Sequence, residues 1–227
     1  MKKMKTVFVV NRETDLATRE VRKECEWVLN GEGKATIKFD GTAAMWKENT
    51  LYKRWDRRLI KKWASISKRK QRQGVEFTPS EEMFKAIPEG AIPCEENPDV
   101  NTFHFPYWIP VDLDAPENAW FKEAMDNDPE LVDGATYELI GPKIQDNIHN
   151  LDKHKLVKHG SGDEIIGLEL TYDGIKKWLA EHNVEGIVFH HPDGRKAKIR
   201  RKDLFKMKKL HGGRKVDWRD ENVDFSS

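Results

Sequence analysis

The chain has few cysteines and no long apolar run among its 227 residues. Cys25 and Cys94 lie far apart, and neither has a second cysteine at the two-residue spacing of a metal-binding pair. We therefore expect no zinc cluster and no disulfide framework, and we expect a cytoplasmic location. The start of the chain, residues 1–10, is basic and then apolar, but the apolar part is too short for a secretory core or a membrane span. It predicts a first strand and no membrane association.

The chain also lacks an excess of charge of one sign. Its 40 lysines and arginines and 39 acidic residues leave a formal net charge of +1. A surface for nucleic acid must then come from local clusters of cations. Two clusters stand out, at residues 53–72 and 195–215. Such runs are often only solvated faces of a protein, but both lie beside the motifs described next, which favours contact with phosphates.

The tetrapeptide Lys38-Phe39-Asp40-Gly41 lies between segments whose alternation predicts strands. A lysine amine becomes a nucleophile when burial or a neighbouring cation favours its neutral form. Asp40 and Gly41 favour a tight bend that directs Lys38 into a cleft, and we expect Asp40 to brace this turn rather than to bind a metal. On its own, the tetrapeptide is equally typical of an exposed hairpin.

Three later segments each combine a strand pattern with a charged residue that can project from it. They are residues 136–143, 185–189 and 196–200, and their projecting residues are Glu138, Glu185 and Lys198. Taken singly, either glutamate is also typical of a solvent-facing position on a strand. Three such residues in this order after a turn lysine favour a single site.

In this order, the motifs resemble those of the covalent nucleotidyltransferase superfamily of ATP-dependent ligases and capping enzymes, and within it the RNA ligases. The runs at residues 136–143 (TYELIGPK) and 198–203 (KIRRKD) are similar to a compact RNA ligase group. The resemblance extends from about Lys34 to Asp203. It implies an α+β fold of antiparallel β-sheets with flanking helices, the nucleotidyltransferase (ATP-grasp-like) ligase adenylation fold. No separate OB-fold domain is expected, because only 27 residues follow Arg200.

The resemblance also implies roles for individual residues. Lys38 would attack the α-phosphorus of ATP to form lysyl-AMP, with Lys198 against the α-phosphate and Glu185 in the same catalytic set. Glu185 and Glu138 would hold Mg²⁺, with Mn²⁺ as an alternative. The nucleotide-binding residues implied by the resemblance are Ile37, Lys38, Arg54, Glu138, Glu185, Lys198 and Arg200.

Two of these assignments are less well defined. Arg57 and Arg58 lie so close to Arg54 that a shift of one strand repeat would exchange their roles. At Arg200, many relatives have lysine, so the charge is kept while the compact ammonium is replaced by a planar fork.

The predicted domain organisation is one nucleotidyltransferase (adenylation) domain over residues 1–205 and a basic C-terminal tail over 206–227. Prolines break residues 73–133 repeatedly, which predicts a loop-rich insertion with a short helix at 117–125. Its aromatic residues are typical of a core and are a less frequent sign of base stacking. Further along, the pattern predicts a helix over 172–182 and strands over 186–189 and 197–201.

The implied function is that of an ATP-dependent RNA ligase. Such an enzyme joins a 5′-phosphate to a 3′-hydroxyl through lysyl-AMP and an adenylylated RNA end. RNA ends are then the expected partners, and no obligate protein partner is evident. A capping-type RNA guanylyltransferase, a DNA nick ligase and a non-catalytic RNA-end binding module remain alternatives.

Overall fold

The computed structural model describes residues 4–127 and 129–206, which form a mixed α+β structure with mainly antiparallel sheets and few helices. The strands are β1 (Lys5–Thr6), β2 (Phe8–Val10), β3 (Ala17–Val21), β4 (Lys34–Lys38), β5 (Thr42–Lys47), β6 (Thr50–Arg57), β7 (Ile92–Pro93), β8 (Phe105–Pro110), β9 (Thr136–Ile140), β10 (Lys155–Lys158), β11 (Gly186–His190) and β12 (Lys196–Arg200). The α-helices are α1 (Glu26–Leu29), α2 (Lys61–Arg72), α3 (Ala119–Asp126), α4 (Tyr172–Glu181) and α5 (Arg201–Leu204). From residue 207 onward, the predicted basic tail lies outside the described residues.

The chain forms two compact units. The six-stranded unit comprises Gly41–Ile144 and Leu151–His159, and the four-stranded unit comprises Met4–Asp40, Gln145–Asn150 and residues 160–206. Between residues 4 and 206 the chain therefore passes from one unit to the other four times. The single domain expected over residues 1–205 stays a prediction.

The four-stranded unit is built on a sheet in the order β1-β12-β11-β4, in which β1 is parallel to β12 and the other pairs are antiparallel. The β-branched and aromatic residues of β11 suit a central strand. One face of this sheet packs against α4, and Ile175, Leu179, Ile187 and Ile199 are fully buried between them. The helix α4 starts after Thr171, whose hydroxyl oxygen accepts a hydrogen bond from the backbone N–H of Gly174.

The six-stranded unit has the strand order β10-β9-β5-β6-β8-β7 and is antiparallel throughout. One sheet face packs against α3, with Tyr137, Leu139 and Phe121 in the shared core. Because side chains alternate along a strand, Glu138 lies on the opposite face. The strand register places Arg54 on that same face.

Most predicted elements are present, with shifted ends. The helix predicted over 172–182 is α4, and the one predicted over 117–125 is α3, preceded by a 3₁₀ turn at Pro116–Asn118. The strand predicted over 197–201 ends one residue earlier, because Asp203 accepts the N–H of Arg200 and Arg201 starts α5. The single first strand is divided, since β1 pairs with β12 whereas β2 pairs with β3.

The segment predicted to be loop-rich, residues 73–133, contains the short strand β7 and a longer strand that was not predicted, β8. Its prolines, Pro106 and Pro110, are tolerated because β7 pairs only with Tyr107 and Trp108 between them. Tyr107 and Trp108 are only 5% and 2% exposed, so they belong to the core rather than to a base-stacking surface.

Within residues 4–127 and 129–206, no helix has both the length and the apolar character needed to cross a membrane.

Candidate active site

Lys38 is the last residue of β4 and lies beside two other cations of the four-stranded unit. Gly186 on β11 is directly opposite Lys38 on one side and Arg200 on the other, and Val188 is directly opposite Lys198. Directly paired residues project to the same face of a sheet, and so do residues two apart on a strand. Lys38, Lys198 and Arg200 therefore share the face opposite the buried core.

The carboxylate of Glu185 is paired with Lys38. The Lys38 ammonium donates hydrogen bonds to Oε2 of Glu185 and to the carbonyl of Phe39, and each side chain of the ion pair is only 17% exposed. Glu185 precedes β11, and its own carbonyl accepts the N–H of Arg201 at 2.9 Å, which fixes its backbone against β12. Burial raises the pKa of Glu185, and the nearby charge of Lys38 only partly offsets this. The carboxylate is thus well suited to accept a proton from the amine.

Lys198 is a partly buried cation among other cations. Burial, followed by the charges of Arg200 and Lys38, lowers the pKa of Lys198 from 10.5 to about 8. Its side chain is still mainly charged at pH 7, although the surroundings oppose that charge. An anionic group bound on this face, such as a phosphate, would remove the repulsion.

Arg200 is held in place by Asp203. Its Nε and Nη2 atoms lie 3.0 and 2.7 Å from the two oxygens of that buried carboxylate, a bidentate pair. A lysine has no planar fork and cannot make this pair. Arg200 is therefore matched here by Asp203, which ends the KIRRKD run but was assigned no role from the sequence.

Gly186 lies at the centre of this face. A Cβ atom built on it would come within 2.2 Å of the carbonyl oxygen of Ile199 and 2.8 Å of the Cα of Arg200. The glycine therefore allows β11 and β12 to approach each other between Lys38 and Arg200.

The turn after Lys38 is braced by His149. Its Nε2 atom accepts the backbone N–H of Asp40 at 3.3 Å, and its ring lies 5.1 Å from the ring of Phe39. No motif in the sequence indicates His149, and the bracing role expected for the Asp40 side chain stays a prediction.

In the six-stranded unit, Glu138 is fixed by a network of polar contacts. Its Oε1 atom accepts the N–H of Gly41 at 3.0 Å, and its Oε2 atom lies 2.8 Å from Nε2 of His159. Nδ1 of His159 is in turn 2.9 Å from Oγ1 of Thr136. The Glu138 side chain is only 13% exposed, unlike the freely solvated glutamate considered as an alternative. His159 was not predicted.

The three candidate arginines differ in their surroundings: Arg54 and Arg57 lie on β6, and Arg58 directly follows it. Arg57 is buried, donates to the carbonyl of Lys85 at 2.7 Å and forms an ion pair with Glu81. Arg54 lies 3.6 Å from Asp56. An open depression of this unit is lined by Arg54, Trp55, Asp56, Arg58 and Lys85. Arg57 thus has a structural role, whereas Arg54 and Arg58 face an accessible surface.

The structure brings four predicted site residues together in the four-stranded unit, namely Lys38, Glu185, Lys198 and Arg200. The Ile37 side chain alternates to the other face of β4, where its strand partner is the buried Ile187. Arg54 and Glu138 share a sheet face in the six-stranded unit. Among the described residues, no cluster of three or more histidine, cysteine or acidic side chains is arranged to hold a metal ion.

Comparison with known proteins gives distant relatives. No protein-family model matches the chain. A rat protein (Rattus norvegicus) named RNA ligase 1 is 25% identical over 228 residues, which cover 83% of this chain and 67% of the rat protein. A mouse protein (Mus musculus) of the same name is 25% identical over 228 residues, which cover 83% of this chain and 66% of the mouse protein. An orangutan protein (Pongo abelii) of the same name is 26% identical over 215 residues, which cover 74% of this chain and 66% of the orangutan protein. The chain spans about two thirds of the length of these relatives.

Proposed function

We propose that this chain is an ATP-dependent RNA ligase that works through a lysyl-AMP intermediate. The observation that carries the proposal is the Lys38–Glu185 ion pair on a sheet face that also bears Lys198 and Arg200. Similarity to proteins named RNA ligase 1 over most of the chain supports an RNA ligase family. The order of the motifs favours the covalent nucleotidyltransferase superfamily and its adenylation fold.

In the first step, Nζ of Lys38 attacks the α-phosphorus of ATP. A P–N bond forms, the bond from that phosphorus to the bridging oxygen breaks, and pyrophosphate leaves with the electron pair. Before the attack the ammonium must lose a proton, and Glu185, which already accepts its hydrogen bond, is the base in contact with it. Lys198 and Arg200 offset the negative charge that develops on the phosphate.

Carboxylate oxygens are the donors that Mg²⁺ prefers, and one or two of them together with nucleotide phosphates are enough for a site. We propose Glu185 of the four-stranded unit and Glu138 of the six-stranded unit as candidate ligands of Mg²⁺ or Mn²⁺, each considered by itself. When bound with ATP, the ion would neutralise phosphate charge. For Glu138, the contacts with Gly41 and His159 fix the carboxylate before any ligand arrives.

The later steps transfer AMP to RNA and then release it. A 5′-phosphate oxygen of the RNA attacks the phosphorus of lysyl-AMP, the P–N bond breaks, and Lys38 regains its amine. A 3′-hydroxyl then attacks the 5′-phosphorus of the adenylylated end, a phosphodiester forms, and AMP leaves. RNA ends are the proposed partners.

The first prediction is covalent labelling of Lys38. Purified protein incubated with α-labelled ATP and Mg²⁺ should carry the label on a denaturing gel, and Lys38→Ala should carry none because the nucleophile is missing. Lys34→Ala is the matched control, since Lys34 lies on the same strand and face but is exposed and paired with Glu164. It should be labelled like the wild type.

Each alternative has its own outcome in this experiment. Labelling by α-labelled GTP in place of ATP would contradict the proposal in favour of capping chemistry. Labelling by ATP followed by sealing of nicked DNA, with no joining of 5′-phosphorylated RNA, would indicate a DNA ligase. The absence of label with either nucleotide would support a non-catalytic binding module.

A further inference from the structure

The helix α2 of the six-stranded unit is unusually basic. It has 12 residues and no acidic one, and half of its side chains are cations. These cations are Lys61, Lys62, Lys68, Arg69, Lys70 and Arg72. All except Lys70 are exposed, and within the part of the chain that the structure describes none of the six is paired with a carboxylate.

The stability of the helix does not explain this charge. The last-turn cations suit the negative end of the helix dipole, but Lys61 and Lys62 lie in the first turn, where positive charge is unfavourable by roughly 0.3–1 kcal/mol each. Lys68 and Arg72 are four residues apart, a spacing at which like charges repel. The first turn contains no acidic residue to compensate. A bound polyanion would turn this repulsion into attraction.

The basic surface begins before the helix itself. Arg58, which lines the open depression together with Arg54 and Lys85, precedes α2 by only three residues. A helix of 12 residues is about 18 Å long. The depression and the helix thus offer a run of cations long enough for several consecutive phosphates of a strand.

The apolar side chains of α2 favour a nucleic acid over a membrane surface as the bound polyanion. Trp63 and Ile66 are partly buried and are not among the exposed large hydrophobic residues of the described chain. A helix that lies on a membrane needs a free apolar face to insert between lipids. In α2 only the charged side is free, which fits the phosphate backbone of a nucleic acid better than a lipid surface.

We propose that α2 is a binding surface for the phosphate backbone of the RNA that this enzyme joins. The identity of the bound strand rests on the proposed function. Contacts with phosphates position a strand without reading its sequence, so this surface would accept RNA ends of different sequences.

The test compares two triple variants of the full-length chain that lose the same charge. K61Q/K62Q/K68Q removes three exposed lysines of α2, and K23Q/K153Q/K177Q removes three exposed lysines elsewhere. Binding of a fluorescent 5′-phosphorylated single-stranded RNA is followed by anisotropy at several salt concentrations. The α2 variant should bind about tenfold or more weakly at low salt, and its log K against log[salt] should be less steep by about 0.7 for each lost phosphate contact. The control variant should bind like the wild type.

Labelling with α-labelled ATP, which needs no RNA, separates this inference from the proposed function. Both variants should label Lys38 as the wild type does and should retain the wild-type circular dichroism spectrum. Equal RNA affinity of the two folded variants would overturn the role of α2. So would a defect confined to binding of phosphatidylserine vesicles. A wild type that binds RNA through α2 but is never labelled would contradict the proposed enzyme and leave the binding surface in place.

Discussion

At the scale of single residues, Lys198 lowers the stability of the free protein, because burial and the neighbouring cations oppose its charge. A pKa lowered from 10.5 to about 8 corresponds to roughly 3 kcal/mol of unfavourable surroundings for the charged form. The penalty is fully present at pH values below about 8, where Lys198 is protonated in both the folded and the unfolded chain. Between pH 8 and 10.5 the folded chain releases this proton first, so the penalty decreases as the pH rises.

We therefore expect Lys198→Met to raise the free energy of unfolding at pH 7 by about 1–2 kcal/mol, less than the full value because water screens part of the site. The gain should shrink toward pH 10.5. Under the proposed mechanism, labelling with ATP should fall by about 100-fold or more, because Lys198 would lie beside the reacting phosphate. Urea unfolding at several pH values and the labelling assay measure both effects. Lys196→Met, on the same strand and face but exposed, should change neither; a loss of stability in Lys198→Met would contradict the argument.

The motifs indicated the charged residues of the site because each lies within or directly beside an apolar strand pattern. They did not indicate the residues that hold them, because those contacts depend on the tertiary structure. His159 is 21 residues from Glu138 in the sequence and His149 is 109 residues from Asp40. Asp203 is close in sequence to Arg200, and its recognition required knowing that β12 ends at that arginine.

At the scale of secondary-structure elements, the close approach of β11 to β12 depends on Gly186. The nearest atoms to an added Cβ are backbone atoms, which cannot move aside as a flexible side chain can. We expect Gly186→Ala to lower the free energy of unfolding by about 3 kcal/mol or more and to reduce labelling with ATP, because the strands that hold Lys38 and Arg200 must shift. Urea unfolding and the labelling assay provide the measurements.

Gly167→Ala is the comparison variant, since nothing lies within 4 Å of its added Cβ. Its φ of +73° carries a cost of about 1–2 kcal/mol without any steric overlap. Equal losses in the two variants would show that the approach of β11 to β12 is not critical.

The strands and helices with a clear periodicity of apolar residues were predictable from the sequence. The pairing of strands with one another was not. Alternating residues predicted β4, and the face formed by Ile175 and Leu179 predicted α4. The parallel partner of β12 is β1, which lies about 190 residues earlier, and no local pattern reports such a contact. β8 was missed because its two prolines favour a loop until the short edge strand beside it is known.

At the scale of the whole molecule, each unit contains one of the two cysteines. Cys25 is 2% exposed in the core of the four-stranded unit, and Cys94 follows the two-residue edge strand β7 of the six-stranded unit. Burial raises the pKa of both thiols, so each is a weak nucleophile in the folded chain. The two thiols can therefore report separately on the opening of the two units.

We expect a thiol reagent in increasing urea to modify Cys94 at lower denaturant than Cys25, because an edge strand opens locally whereas a core residue requires unfolding of its unit. Cys25→Ser and Cys94→Ser assign each signal, and mass spectrometry counts the modified sites. Modification of Cys25 before Cys94 would contradict the described burial.

Because the chain passes four times between the two units, a recombination event rarely leaves both of them whole. Lys38 and Gly41 are three residues apart and belong to different units. A recombination event with one crossover point within residues 41–159 would leave both units incomplete, so neither unit can be exchanged for a foreign one as an intact module. No single crossover therefore replaces one unit while leaving the other whole, and we expect recombination to exchange parts of both units together.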